Sequence, residues 1–130
     1  SQEYRHSNTS VSLINYHFVW IPRRRRPVLK GAIANRLNIL LHEKAEELDI
    51  RIIALEIMPD HVHLFINCLP ILAPYQIMFR LKGFTARILR KEFPELMRLP
   101  SMWTTSYFVS TAGNVSSETI KKYIEAQSKK

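Results

Sequence analysis

The stretch Met58-Pro59-Asp60-His61-Val62-His63-Leu64-Phe65-Ile66 sets two histidines two residues apart inside a run of β-formers. Side chains of a strand alternate between faces, so His61 and His63 project together, with Cα atoms roughly 6.5–7 Å apart. Val62, Leu64, Ile66 and Cys68 project to the other side and can bury. The chain therefore needs a sheet with one covered face and one open face. Two imidazoles aimed from a rigid strand can share one divalent metal ion. The plain alternative is a histidine pair at the wet end of a half-buried strand.

Elements on either side of this strand follow from periodicity. Leu13 to Ile21 is rich in aromatic and β-branched residues and reads as a first strand, which Pro22 ends. Arg23-Arg24-Arg25-Arg26 lies between Pro22 and Pro27, which makes it an exposed loop, either a solvated charge run or a phosphate clamp. Gly31 to Asp49 reads as a helix, with Ile33, Leu37, Leu40, Leu41, Ala45 and Leu48 on one stripe. Ile50 to Met58 is the second strand, with Arg51, Ile53, Leu55 and Ile57 on one face and Ile52, Ala54, Glu56 and Met58 on the other. His61 to Cys68 pairs with it antiparallel across the short Pro59-Asp60 link.

Pro74 suits the first turn of a helix that runs to about Phe93. Ile77, Leu81, Phe84 and Ile88 are its expected buried stripe, and Arg80, Lys82, Arg87, Arg90 and Lys91 decorate the rest. Gly83 in mid-helix permits close packing or a close approach of DNA. Trp103 to Thr111 is the fourth strand. Ala112-Gly113-Asn114 breaks it, and Ser116 or Ser117 caps a last helix to about Ser128, with Glu118 complementing the dipole. The order β-α-β-β-α-β is the ferredoxin-like pattern, an α+β fold with a four-stranded antiparallel sheet and two helices on one face. The last helix is an addition. No repeat or linker marks a second domain, so residues 1–130 form one domain, with the polar residues 1–10 expected to fray.

With 46% hydrophobic residues, a chain of 130 residues has enough for one core. Its net charge of +8 points to a polyanionic partner, nucleic acid first. No apolar run approaches the roughly 20 residues that span a bilayer, and no amphipathic basic helix favours a membrane surface. Without an apolar leader, and with Cys68 alone and on an apolar strand face, the cytoplasm is the expected compartment.

Tyr123 and Gln127, four residues apart, share one face of the last helix. Tyrosine is a poor base at neutral pH, since its pKa is near 10, but beside a metal-bound phosphate it becomes a credible nucleophile. The Gln127 carbonyl is a neutral oxygen donor able to complete a metal site with His61 and His63, and such a mixed N/O set suits Mg²⁺ or Mn²⁺. Asp60 reads as a turn residue or as a group supporting His61. Taken alone, Tyr123 reads as an ordinary packing tyrosine.

Taken together, several segments carry a resemblance. Tyr16-His17-Phe18-Val19-Trp20, Glu56 to Leu64, Leu81-Lys82-Gly83, Ser106-Tyr107-Phe108-Val109, Gly113-Asn114-Val115-Ser116 and Tyr123-Ile124-Glu125-Ala126-Gln127 follow one another as in a known family. The chain resembles the single-tyrosine transposases of the insertion-sequence two-hundred/six-hundred-and-five family, which are HUH endonucleases (His, hydrophobe, His). Ala126 stands where that family often has Asn or Glu, at a position that is not a ligand. The resemblance implies a homodimer that binds hairpins near the ends of a mobile element. It implies cleavage of single-stranded DNA by Tyr123, giving a 5′-phosphotyrosine and a free 3′-OH, with metal at His61, His63 and Gln127. It also implies that the tyrosine helix can complete the partner's site after swinging on a loop, for which Gly113 is well placed; the sequence leaves open which subunit's site it serves.

Arg23, Arg24, Arg25 and Arg26, with Arg80, Lys82, Arg87 and Arg90, are the expected DNA-binding residues. An edge strand, either Leu13–Ile21 or Trp103–Thr111, is the expected dimer joint. A competing reading is a ferredoxin-like nucleic-acid-binding protein without strand-transfer activity, stacking bases on its sheet.

Overall fold

The computed structural model describes residues 13–111 and 117–127, with the side chains in the last helix described for Glu118 and residues 122–126. Residues 1–10, the break at Gly113 and the Ser116 cap lie outside the described residues, as do the side chains of Ser117 and Gln127. The elements are β1 (Ile14–Trp20), α1 (Gly31–Glu47), β2 (Arg51–Met58), β3 (His61–Cys68), α2 (Pro74–Glu92), β4 (Phe108–Ser110) and α3 (Ser117–Gln127). Short 3₁₀ turns cover Arg23–Arg25 and Pro94–Arg98.

The sheet runs β2-β3-β1-β4, with each neighbouring pair antiparallel, which is the ferredoxin-like order. Alternation decides what each face carries. Phe18 and Trp20 of β1 join Val62, Leu64 and Ile66 of β3 in the core, against Leu37, Leu40 and Leu41 of α1 and Ile77, Met78 and Leu81 of α2. His17 and Val19 of β1, with His61 and His63 of β3, point to the opposite face. Cys68 is buried, as its place on the apolar face of β3 implies. Among the described residues, no helix is long and apolar enough to cross a membrane.

Five expectations change. Strict alternation along β2 fails, because the ladder shifts register between Ile52 and Ala54. A bulge absorbs Ile53, so Ile52, Leu55 and Ile57 all pack on the core while Ile53 and Ala54 are exposed. On α2, Met78, Thr85 and Leu89 are buried alongside Ile77 and Leu81, and Phe84 and Ile88 only flank the core. Thr85 is tolerated there because its hydroxyl donates to the Leu81 carbonyl at 2.7 Å and accepts from the indole N–H of Trp103 at 3.1 Å. Gly83 is exposed, and a Cβ added there would meet nothing within 4 Å, so close protein packing is not its reason.

The fourth strand is three residues long, not the nine of Trp103–Thr111. Upstream of it the backbone finds partners outside the ladder. The Thr104 N–H donates to the Ile21 carbonyl at 3.1 Å, and the carbonyls of Thr104, Thr105 and Ser106 accept from Lys82 Nζ at 2.6, 3.3 and 3.3 Å. The sheet order also corrects the dimer joint. β1 is paired on both sides, so Leu13–Ile21 offers no free edge, and the edges are β2 and β4.

Candidate active site

His61 and His63 stand side by side on the open face, their ring centroids 4.9 Å apart and their planes at 65°. The Met58–His61 pairing closes the β2–β3 hairpin and leaves Asp60 in the turn. Its carboxylate Oδ1 accepts the His61 Nδ1–H at 2.8 Å, and its Oδ2 lies 3.3 Å from Arg25 Nε. A carboxylate on Nδ1 fixes the neutral tautomer that keeps a lone pair on Nε2, the form a metal ligand needs.

His63 is held differently. Its Nδ1 faces His17 Nε2 at 3.4 Å, long for a hydrogen bond, across the β1–β3 ladder. Glu56, its register partner on β2, is exposed. Burial pushes the His63 pKa down, the neighbouring His61 adds to that, and Glu56 opposes it. Burial also lowers the pKa of His17. Both rings are thereby kept neutral near pH 7.

His17 is the residue that sequence reasoning missed as part of the site. Its signal was in β1 itself: it is the ionisable member of the face it shares with the wholly apolar Val19 and Ile21.

Tyr123 reaches the same face. Ile124 of α3 is buried on Val19 and Ile21, with Phe108 and Tyr123 packed beside it. Val19 is also the cross-strand partner of His63. In the single chain, then, α3 lies over its own sheet, on the side that bears His17, His61 and His63. The Tyr123 ring sits 6.0 Å from Phe108, and its hydroxyl is 3.4 Å from Ser106 Oγ. Burial raises the phenol pKa, against the Ser106 hydrogen bond, which lowers it.

The donor set fits a divalent cation. His61 and His63 have their Nδ1 atoms engaged by Asp60 and His17, which leaves Nε2 of each available, and Gln127 lies one helical turn beyond Tyr123. Among the described residues, no three His, Cys, Asp or Glu side chains gather around one point. An amide oxygen would be a suitable further donor beside two imidazoles.

The basic residues divide into two groups. Arg23 donates to Ser101 Oγ at 3.0 Å and Arg25 pairs with Asp60, so neither belongs to a freely solvated loop. Arg24 and Arg25 adopt left-handed backbone, at φ 58° and 54°, a strained conformation for non-glycine residues. Lys82 and Arg90 do not decorate an exposed face. Lys82 is turned to the carbonyls of residues 104–106, with its pKa pushed down to about 8 by burial, and Arg90 donates to the Leu99 carbonyl at 2.8 Å. Arg24, Arg26, Arg80 and Arg87 remain exposed. Arg24 and Arg26 border, with Lys30 and Arg98, a cleft of about 670 Å³.

A ferredoxin-like sheet with a His-Val-His pair on a central strand, under a tyrosine-bearing helix, has the layout of a small single-tyrosine transposase. A family model described as "Transposase IS200 like" matches residues 10–127, and the chain belongs to that family. It is 33% identical over 120 residues to the ISDra2 transposase TnpA of Deinococcus radiodurans, a match covering 90% of this chain and 86% of that protein. It is 29% identical over 115 residues to the transposase for insertion sequence element IS200 of Salmonella typhimurium, covering 86% of this chain and 75% of that one. A crystal structure assigned as a Deinococcus radiodurans transposase superposes with a TM-score of 0.87 at 31% identity, over 95% of this chain and 97% of that chain. A REP-associated tyrosine transposase bound to a REP hairpin shares the fold, with a TM-score of 0.56 at 16% identity over 98% of this chain and 70% of that one.

Proposed function

We propose that this transposase cleaves and rejoins single-stranded DNA at the ends of an insertion sequence, with Tyr123 as nucleophile and His61, His63 and Gln127 as ligands of Mg²⁺ or Mn²⁺. One observation carries the reading: Val19 lies between the two halves of the site, paired to His63 along the sheet and covered by the Tyr123 helix. A metal ion held by His61, His63 and Gln127 would offset charge on the scissile phosphate. The chain's own residues do the rest. Tyr123 Oη attacks phosphorus and gives its proton to solvent, the P–O3′ bond breaks, and the departing 3′ oxygen takes a proton from solvent, giving a 5′-phosphotyrosine and a free 3′-OH. Rejoining is the reverse, with a 3′-OH displacing the tyrosine.

A phenol of ordinary pKa near 10 is already neutral at pH 7, and burial raises that of Tyr123 further, so its attack depends on substrate and a bound cation favouring ionisation. DNA is held by the exposed Arg24, Arg26, Arg80 and Arg87, and hairpin ends are the ligand class. A homodimer joins two element ends. Of the two strands considered for the joint, only β4 borders an edge. The reading puts this work in the cytoplasm. A base-stacking module is disfavoured, because the open face of the central strands carries histidines and α3 covers Val19 and Ile21. Replacing His63 by Ala tests the site: Mn²⁺-dependent cleavage should be lost while hairpin binding stays within a few-fold. Undiminished cleavage would contradict it.

A further inference from the structure

We propose that His17 is a positioning residue of the metal centre: its Nε2 accepts the Nδ1–H of His63 and so turns the His63 Nε2 lone pair to the metal ion. The inference rests on the reading of His61 and His63 as ligands and names the group that prepares the second of them.

The two Nδ1 atoms differ in their neighbours. On His61 that nitrogen is taken by the Asp60 carboxylate at 2.8 Å. On His63 the neighbour is the His17 Nε2 at 3.4 Å. Ligating histidines are ordinarily oriented by an acceptor on their other ring nitrogen, and removing it weakens metal binding about 10–100-fold. His17 stands where that acceptor is needed, one cross-strand diagonal from His63, since His17 pairs with Phe65 and Val19 with His63. It is poorly placed to be a ligand itself. Its Nε2 faces Nδ1 of His63, whereas a cation held by His63 Nε2 would be on the other side of that ring.

The proton balance gives a further mark. Two neutral imidazoles share the contact, and either can donate. If His17 donates from Nε2, the His63 proton sits on Nε2 and blocks the metal. If His63 donates from Nδ1, the His17 proton moves to its own Nδ1. That atom is buried and has no hydrogen-bond partner among the described residues, so a proton there carries a cost that a cation on His63 Nε2 would have to offset. A cation held by His63 Nε2 would favour the second arrangement, and the hydrogen bond should then tighten.

The test measures Mn²⁺ affinity of the full chain by electron paramagnetic resonance of free Mn²⁺, in wild type, His63→Ala, His17→Phe and His17→Gln. His17→Phe keeps a ring and removes the acceptor, and its affinity should fall about 10–100-fold. His17→Gln keeps an acceptor oxygen and should recover most of that loss. If His63→Ala loses binding but His17→Phe binds as wild type, the role of His17 is overturned and the metal site stands. If wild type and His63→Ala bind alike, the metal site falls, and this inference with it. Should His17→Phe fail to fold, ring ¹⁵N spectra of the Zn²⁺-loaded wild type decide. The expected pattern is His63 metallated at Nε2 and protonated at Nδ1, with His17 Nε2 bare. A proton on His17 Nε2 would overturn the inference.

Discussion

Ser106 Oγ lies 3.4 Å from the hydroxyl of Tyr123. That distance ties the segment before β4 to the residue on α3 that we assign as nucleophile. The hydrogen bond favours the phenolate, and burial disfavours it more. In Ser106→Ala the Tyr123 phenol should therefore titrate higher than in wild type, and cleavage at pH 7 should slow several-fold. Ultraviolet titration of each protein against its own Tyr123→Phe partner isolates that one tyrosine. An unchanged titration in Ser106→Ala would show that the hydrogen bond is idle.

Lys82 holds the same segment from the other side. Burial lowers its pKa from the ordinary 10.5 to about 8, so between those values the folded chain binds fewer protons than the unfolded one. Stability attributable to Lys82 must then rise with pH across the window from about 8 to 10.5. Below it, the ammonium carries its full desolvation cost, offset by the carbonyls of residues 104–106. Urea midpoints of wild type and Lys82→Met, compared at pH 7, 8, 9 and 10, should diverge in favour of wild type as pH rises. A constant difference would mean that the amine titrates at its ordinary value.

The arginine run should separate by position. Replacing Arg24 and Arg26 with Ser should leave stability within about 0.5 kcal/mol, as for surface sites generally. It should flatten the salt dependence of DNA binding by up to about 0.7–0.9 for each phosphate that the loop no longer neutralises. Replacing Arg23 should cost about 1 kcal/mol, because its hydrogen bond to Ser101 goes. Replacing Arg25 should weaken metal binding through Asp60. Equal effects from all four would mean that the run is a uniform charged loop.

Much of this was legible beforehand because it rests on periods. The alternation of Val62, Leu64, Ile66 and Cys68 fixed which way His61 and His63 face, and the β-α-β-β-α-β order implied a four-stranded antiparallel sheet, though not the place of β1 inside it. What escaped rests on single tertiary interactions. The Ile53 bulge exists because a ladder can absorb one residue when that brings Ile52 onto the core. Trp103–Tyr107 has the composition of a strand, but Trp103 turns inward to Thr85 and Lys82 claims the carbonyls that follow. Lys82 and Arg90 look like surface charges until the partners beneath them are known. His17 was read within a motif, and only the β1–β3 register brings it to His63.

The most direct measurement is formation of a covalent protein–DNA adduct. Labelled single strands from the element's own ends are incubated with Mn²⁺ and either wild type or Tyr123→Phe, then denatured and separated. Wild type should give a denaturant-resistant adduct. Tyr123→Phe should bind the same hairpin strands within about a few-fold, since affinity comes from phosphate contacts elsewhere, and give no adduct. An adduct of undiminished yield with Tyr123→Phe would contradict the assignment.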